Sequence, residues 1–316
     1  MANDLKYYVK SINDIFKKEN DRYKAHEQSK PLMLEMAKDK SILFEIIKKN
    51  LEKPGFLLQK RINPVIALDI EINETISFIA HCWMPLPDKR NDISHQSIHH
   101  HGKLLLTSIA AWGSGYESVI FKKGYTIEKQ SGITSMQIEK TYKNLFLNIE
   151  FIDINTPHVV FYPSEFSITY ALWTNVEAGA SENLKKISFN KKYKKQLRNI
   201  IDTLGLASSL GLNINEYLDF YPKNGKIIAL KNRVKYEVGS HSAFINGFFS
   251  MLQVLQYNDF ESLKKSIKKL PAMTQPDINI LLTKLISDEH IKDKYDEIHL
   301  NIDYINFEKN TLLNSF

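Results

Sequence analysis

The chain has 316 residues, 43% of them hydrophobic and 25% charged, which excludes global disorder and allows one large domain or two ordinary ones. Lys plus Arg number 42 against 36 Asp plus Glu, and the resulting net charge of +6 is spread among residues of both signs, so charge alone makes no case for nucleic acid. A single cysteine, Cys82, excludes an intramolecular disulfide. The polar opening from Met1 to Lys18 lacks the apolar core of a secretory signal, and no run approaches the roughly 18 apolar residues of a spanning helix; a soluble, cytoplasmic protein with no membrane partner is expected.

From Leu5 to Lys53 apolar residues recur every three or four positions, as in Leu5, Val9, Ile12 and Phe16, which predicts a helical segment. Pro54-Gly55 stops it. From Pro64 the period changes to two: Ile66, Leu68, Ile70 and Ile72 alternate with Val65, Ala67, Asp69 and Glu71, the pattern of a half-buried strand. Further strand signals cover Thr75 to Trp83, Lys103 to Trp112, Tyr116 to Phe121, Leu145 to Ile152, His158 to Tyr162 and Phe166 to Thr174. Many short strands joined by turns predict an antiparallel sandwich or barrel. The pattern breaks at Ala178-Gly179-Ala180-Ser181, and seven basic residues crowd into Lys185 to Arg198. Beyond that boundary the spacing predicts helices over Gln196 to Leu206, Ser242 to Leu255, Phe260 to Leu270 and Asp277 to Ile286, with a weak hairpin signal over Lys226 to Val238. The expected class is α+β, with an N-terminal helical segment at 1–60, a β-barrel at 61–178 and a mostly helical C-terminal region at 179–316.

Histidine placement is the chemical lead. Five of the ten histidines, namely His81, His95, His99, His100 and His101, fall within 21 residues. On a strand His99 and His101 project to one face and His100 to the other, so the first two form half of a metal site. The third ligand then comes from His158, the only later histidine of the β region, if its strand lies beside the pair. Neutral imidazoles suit iron, zinc, copper and nickel, and three protein ligands leave coordination positions open for reactants.

Other candidates have plainer readings. His95 and His100 are expected to bond locally. Tyr116, Tyr162, Tyr170 and Trp173 are read as packing residues, with Trp173 also a candidate for a pocket wall. Gly113-Ser114-Gly115 is read as a hairpin turn, since no helix follows to make a phosphate cradle. His241 sits near a helix start without a visible catalytic partner, and Cys82 reads as a buried thiol. The basic run is interleaved with Phe189 and Tyr193 but lacks a recognised module, so it is read as a solvated face and no nucleic-acid partner is expected.

Cys82-Trp83 at a strand end, then Ser97-Ile98-His99-His100-His101, then Gly113 twelve residues after His101, and finally His158 resemble the cupin superfamily, and within it the cysteine dioxygenase type. The likeness spans roughly residues 30 to 175. Leu106 stands where many cupins carry a glutamate ligand, so the resemblance implies a three-histidine member. Asp153 and Asn155 replace that family's Pro-x-Gly, and Thr169, Ala171 and Trp173 replace its Ser-x-His-x-Tyr strand, which implies a similar metal cage around a different substrate. The resemblance implies a jelly-roll barrel, Fe(II) with Zn, Ni, Mn or Cu as other options, and dioxygen plus a small organic substrate, thiol or amino-acid-like. It assigns Arg61 to the substrate carboxylate. Two other functions fit the same cage: a redox-inert metal-dependent isomerase or lyase, and a non-enzymatic ligand-binding cupin whose helical region contacts a partner. The added helices are expected either to cap the barrel mouth or to pair subunits into a homo-oligomer.

Overall fold

Three aspartates launch the N-terminal helices. Asp4, Asp21 and Asp39 each accept a backbone N–H from the turn that follows, starting α1 (Leu5–Lys18), α2 (Arg22–Lys38) and α3 (Lys40–Leu51). The computed structural model describes residues 4–60, 65–128, 130–174, 219–230, 240–292 and 306–316. After α3, Gly55 takes φ +75°, and one short 3-10 turn, Phe56–Leu58, leads toward the sheets.

The strands then follow in chain order: β1 (Val65–Ile72), β2 (Ile76–Trp83), β3 (Ile98–His99), β4 (Leu106–Trp112), β5 (Glu117–Phe121), β6 (Thr126–Ile127), β7 (Ile133–Ser135), β8 (Ile138–Lys143), β9 (Ile149–Ile152), β10 (His158–Phe161), β11 (Ser167–Thr174), β12 (Asp219–Lys223) and β13 (Lys226–Leu230). They form two antiparallel sheets, one ordered β1-β2-β11-β4-β9 and the other β6-β7-β13-β12-β3-β10-β5-β8. Helices α4 (His241–Val254), α5 (Phe260–Lys268), α6 (Gln275–Ile286) and α7 (Lys309–Leu313) complete the described chain. The architecture is α+β: N-terminal helices, an antiparallel β fold curled around a cavity, and C-terminal helices.

Period-two alternation assigns each sheet an outer and an inner face. On β2 and β11 the outer set is Phe78, Ala80, Cys82, Ile168, Tyr170 and Leu172, all buried in one continuous core with helices α1 to α6. The C-terminal helices join this core through ring contacts of Phe244 and Phe248 with Phe56, at 5.6 and 5.2 Å, and through the Ser266 hydroxyl, which donates to the Leu51 carbonyl at 2.6 Å. The second sheet turns Ile98, Val119, Phe121, Val159 and Phe161 outward, where Phe307 and Leu312 near the C-terminus cover them. Between the sheets Leu106 and Ala171 meet Ile120 and Ile152, and the inner positions His81, Trp83, Ser108, His158 and Thr169 line the cavity.

Several expectations are corrected. Gly113-Ser114-Gly115 is not a hairpin turn: it carries the chain from β4 in one sheet to β5 in the other. The close approach explains its glycines, since a Cβ on Gly115 would lie 1.5 Å from the Asn144 carbonyl oxygen and φ is +72°. The weak alternation from Lys226 supplies one strand of a hairpin whose partner, β12, lies upstream and pairs with β3. The C-terminal region therefore contributes strands beside the histidine segment as well as helices. The boundary expected at 178/179, the helix expected over 196–206, the basic run and Arg61 all lie outside the described residues. No described helix is long and apolar enough to cross a membrane.

Candidate metal centre

Strand β10 runs antiparallel to β3 with His158 directly opposite His99. Both side chains point inward, because Ile98 and Val159, one position away on each strand, are in the outer core. β3 ends at His99, so His101 follows in a loop, yet its ring returns to the same side. Ring centroids are 5.0 Å apart for His99 and His101, 4.5 Å for His99 and His158, and 4.7 Å for His101 and His158. One nitrogen from each ring lies within 4.8 Å of the others. The three residues named from the sequence are brought together.

Hydrogen bonds set the tautomers. His99 Nδ1 donates to the Ser97 carbonyl and His158 Nδ1 donates to the Thr156 carbonyl, each at 3.0 Å. A carbonyl only accepts, so Nδ1 carries the proton in both rings and Nε2 keeps its lone pair. Such bonds to the far ring nitrogen are the usual support of a metal-ligating histidine. Burial disfavours the imidazolium: His158 is pushed down to about 4, and His99 is held well below the usual histidine range, first by burial and then by His158 and His101 beside it. The Nε2 atoms of His99 and His101 stand 3.2 Å apart. Two nitrogens about 2.1 Å from one ion, at tetrahedral or octahedral angles, lie about 3.0 to 3.4 Å apart, so the pair fits a shared transition metal. The Nε2 lone pairs of His99 and His158, with His101 Nε2 3.2 Å from the first, make the kind of donor set such an ion requires.

The trio opens into a cavity of about 360 Å³ between the sheets. Across from it stand His81 and Trp83 of β2 with Thr169, Ala171 and Trp173 of β11, on the face opposite the helical core. Trp83 Nε1 donates to the Thr169 hydroxyl at 3.0 Å, and the Trp173 ring lies 6.1 Å from that of His101. His81 packs between the two tryptophans, with centroids 6.1 Å from Trp83 and 5.4 Å from Trp173. Burial pushes it down to about 4 and His95 to about 3. No aspartate or glutamate is among the described residues lining this cavity. Gln59, Lys60 and Phe244 contribute to its wall, so α4 reaches the site through Phe244.

No family model matches the sequence, and no curated protein matches it. Solved structures do. A Thermus thermophilus protein, TT1209, shares 14% identity over 36% of this chain and 88% of its own, with a TM-score of 0.25. An RmlC-like cupin from Shewanella frigidimarina shares 9% over 38% and 87%, with a TM-score of 0.22. A Klebsiella pneumoniae protein with a double-stranded β-helix domain shares 13% over 36% and 80%, also at 0.22. The likeness spans little more than a third of the chain.

The remaining sequence candidates fall on both sides of the sheet. His100 bonds locally, its Nδ1 accepting from Gly102 N–H at 3.0 Å, but His95 does not: it lines the cavity, and its Nδ1 lies 3.1 Å from the hydroxyl of Tyr162, 67 positions along the chain. Tyr170 is core on the helical face, while Tyr116 and Trp173 line the cavity. His241 Nε2 donates to the Leu57 carbonyl at 2.8 Å, a structural bond. Cys82 is buried, and that burial pushes its thiol up. Residues passed over in the sequence include His81, whose strand periodicity would have placed it on the face of Trp83, and Gln96, whose signal is adjacency to the histidine cluster. Asn306 was also missed: its side-chain amide donates to the Ser94 and His95 carbonyls at 2.7 and 2.8 Å and pins the segment entering the site.

Proposed function

We propose that the chain is a cupin-type mononuclear non-haem iron oxygenase acting on a small organic substrate, with His99, His101 and His158 as the protein ligands. The observation that carries this reading is the convergence of three imidazoles, His99 and His158 buried and His101 half-buried, the first two locked by Nδ1–H bonds to carbonyls so that Nε2 is available. Fe(II) in such a set supplies open positions for a substrate donor atom and for dioxygen.

The chain's own residues supply the rest. Trp83, Trp173, Val160 and Ala171 form apolar walls that exclude water from the reacting atoms. With three neutral donors and no carboxylate in the described lining, the charge of a divalent ion is left for the substrate to balance, which favours an anionic ligand such as a thiolate or an amino-acid carboxylate. Lys60 on the cavity wall adds attraction of the same sign. Arg61 remains the proposed carboxylate partner on the basis of the family resemblance.

A second reading, a redox-inert isomerase or lyase, is favoured by one feature: His81 and His95 line the cavity as neutral imidazoles, whose ring nitrogens can hydrogen-bond a substrate's polar groups. Anaerobic iron reconstitution followed by oxygen uptake with a panel of thiols and amino acids separates the two. Substrate-dependent oxygen consumption supports the oxygenase, whereas full native occupancy by zinc without oxygen uptake transfers the assignment to the second reading.

A further inference from the structure

His81 lies within β2, flanked in the sheet by Ala67 of β1 and Thr169 of β11 as its cross-strand partners. Both partners are small, so the imidazole stands out of the sheet into the cavity. Two indoles hold its ring, that of Trp83 at 89° to it and that of Trp173 at 59°. On the same wall Trp83 and Thr169 bond each other, and His95, whose ring lies 5.0 Å from that of Trp83, bonds the Tyr162 hydroxyl. Among the described residues neither ring nitrogen of His81 has a hydrogen-bond partner. A polar ring in such a setting costs free energy unless a bound molecule supplies the partner.

The state of the ring says what that molecule offers. Burial keeps His81 neutral, so one nitrogen carries a proton, the other a lone pair, and no protein bond fixes which is which. A carboxylate only accepts, and a neutral ring does not balance its charge. An ammonium only donates, and no acid lies in the described lining to balance it. A hydroxyl donates or accepts as the ring requires and brings no charge to desolvate. The Trp173 ring, 6.1 Å from that of His101 and 5.4 Å from that of His81, supplies an apolar flank for the carbon chain of a ligand that reaches both.

We propose that His81 is a substrate-binding residue that recognises a hydroxyl group at the end of the ligand remote from the three histidines, while the anionic end of the ligand meets the ion. This rests on the reading of His99, His101 and His158 as a metal site, and the test keeps the two apart. Full-length protein loaded with Co(II) is titrated with short ω-hydroxyalkanethiols of increasing length and with methyl-ended thiols of matched length, and each dissociation constant is read from the thiolate-to-Co(II) charge-transfer band. At the best length the wild type is expected to bind the hydroxythiol at least about 10-fold more tightly than its methyl-ended match, the scale of one hydrogen bond to a buried group otherwise left unpaired. His81→Phe, which keeps an aromatic ring between the indoles, should erase that preference without weakening the methyl-ended thiol. His81→Gln, which keeps a donor and an acceptor, should restore part of it. Near-ultraviolet circular dichroism of the metal-free forms checks that both variants are folded. No preference in the wild type at any length, or an unchanged preference in His81→Phe, overturns the role of His81 while leaving the three-histidine centre intact. So does tighter binding of ω-carboxyalkanethiols that is lost in His81→Phe, which makes the partner an anion. Uptake of Co(II) with no thiolate band for any of these thiols overturns the His81 assignment together with the anionic-ligand reading, and failure of the wild type to take up Co(II) overturns the site itself.

Discussion

The two faces of the five-stranded sheet use one alternation for opposite purposes. On β2 and β11, Phe78, Ala80, Cys82, Ile168, Tyr170 and Leu172 are sealed against the helices, and one residue away His81, Trp83, Thr169, Ala171 and Trp173 face the cavity and the histidine trio. The first set is nearly all carbon and makes the sheet a rigid floor. The second carries nitrogens, hydroxyls and indole rings whose positions that floor fixes. Except for His101, which follows β3 in a loop, chemistry is placed on strands whose neighbours hold the core together, and that backing fixes the geometry of the site.

This contrast can be broken by mutation, and the largest effect is expected on the helical face. Phe78→Ala should cost about 3–5 kcal/mol in urea unfolding, the usual range for emptying a phenylalanine site in a close-packed core. Trp173→Ala, which opens space into an existing cavity, should cost clearly less. Equal costs would mean that the two faces are not energetically distinct.

Metal should act on the other face alone. At a free Co(II) concentration about one hundred times its dissociation constant, mass action stabilises the folded chain by about 2.7 kcal/mol, and His99→Ala should erase that gain. Phe78→Ala should lower baseline stability yet keep the Co(II)-dependent increment.

A smaller effect is expected from the clamp outside the sheet. Asn306 is buried, and its amide serves two backbone carbonyls next to Gln96. Asn306→Ala should cost about 1–3 kcal/mol, because two carbonyls lose their donor. It should also weaken Co(II) binding while leaving the helical core untouched.

The smallest effect is a pH dependence on the helical face. His26 of α2 is buried, with Nδ1 2.7 Å from the Thr107 hydroxyl and Nε2 3.3 Å from that of Thr174. Burial, reinforced by Arg22 and Lys30, pushes its pKa down to about 3 from 6.5. The unfolded chain therefore binds a proton at His26 that the folded chain refuses. Its contribution is favourable above pH 6.5 and is lost as pH falls toward 3, amounting to about 1 kcal/mol between pH 6.5 and 5.5. In His26→Gln that part of the pH dependence should vanish, as read from urea midpoints at the two pH values.

Much of this arrangement was legible in the sequence because alternation is a local signal. Ile66 to Ile72, Thr75 to Trp83 and Phe166 to Thr174 announce strands β1, β2 and β11 within a few residues of their observed bounds. The trio was reachable because His99 and His101 are two apart and His158 opens a later strand. What escaped is non-local or too short for a period to show. β3 has two residues, and β12 contains Pro222 and no clean alternation. Asn306 meets Ser94 across 212 positions of chain, a contact without any local trace. His81 and Trp83 were within a predicted strand, but the sequence does not say which face of that strand meets helices and which meets a cavity.

The central claim is that His99, His101 and His158 share one ion. Anomalous scattering at the cobalt edge from crystals of the Co(II)-loaded protein tests it most directly. One peak per chain, about 2.1 Å from a ring nitrogen of each of the three histidines, is the expected result. A fully loaded crystal whose only peak lies elsewhere, or out of ligating reach of His158, would contradict the account.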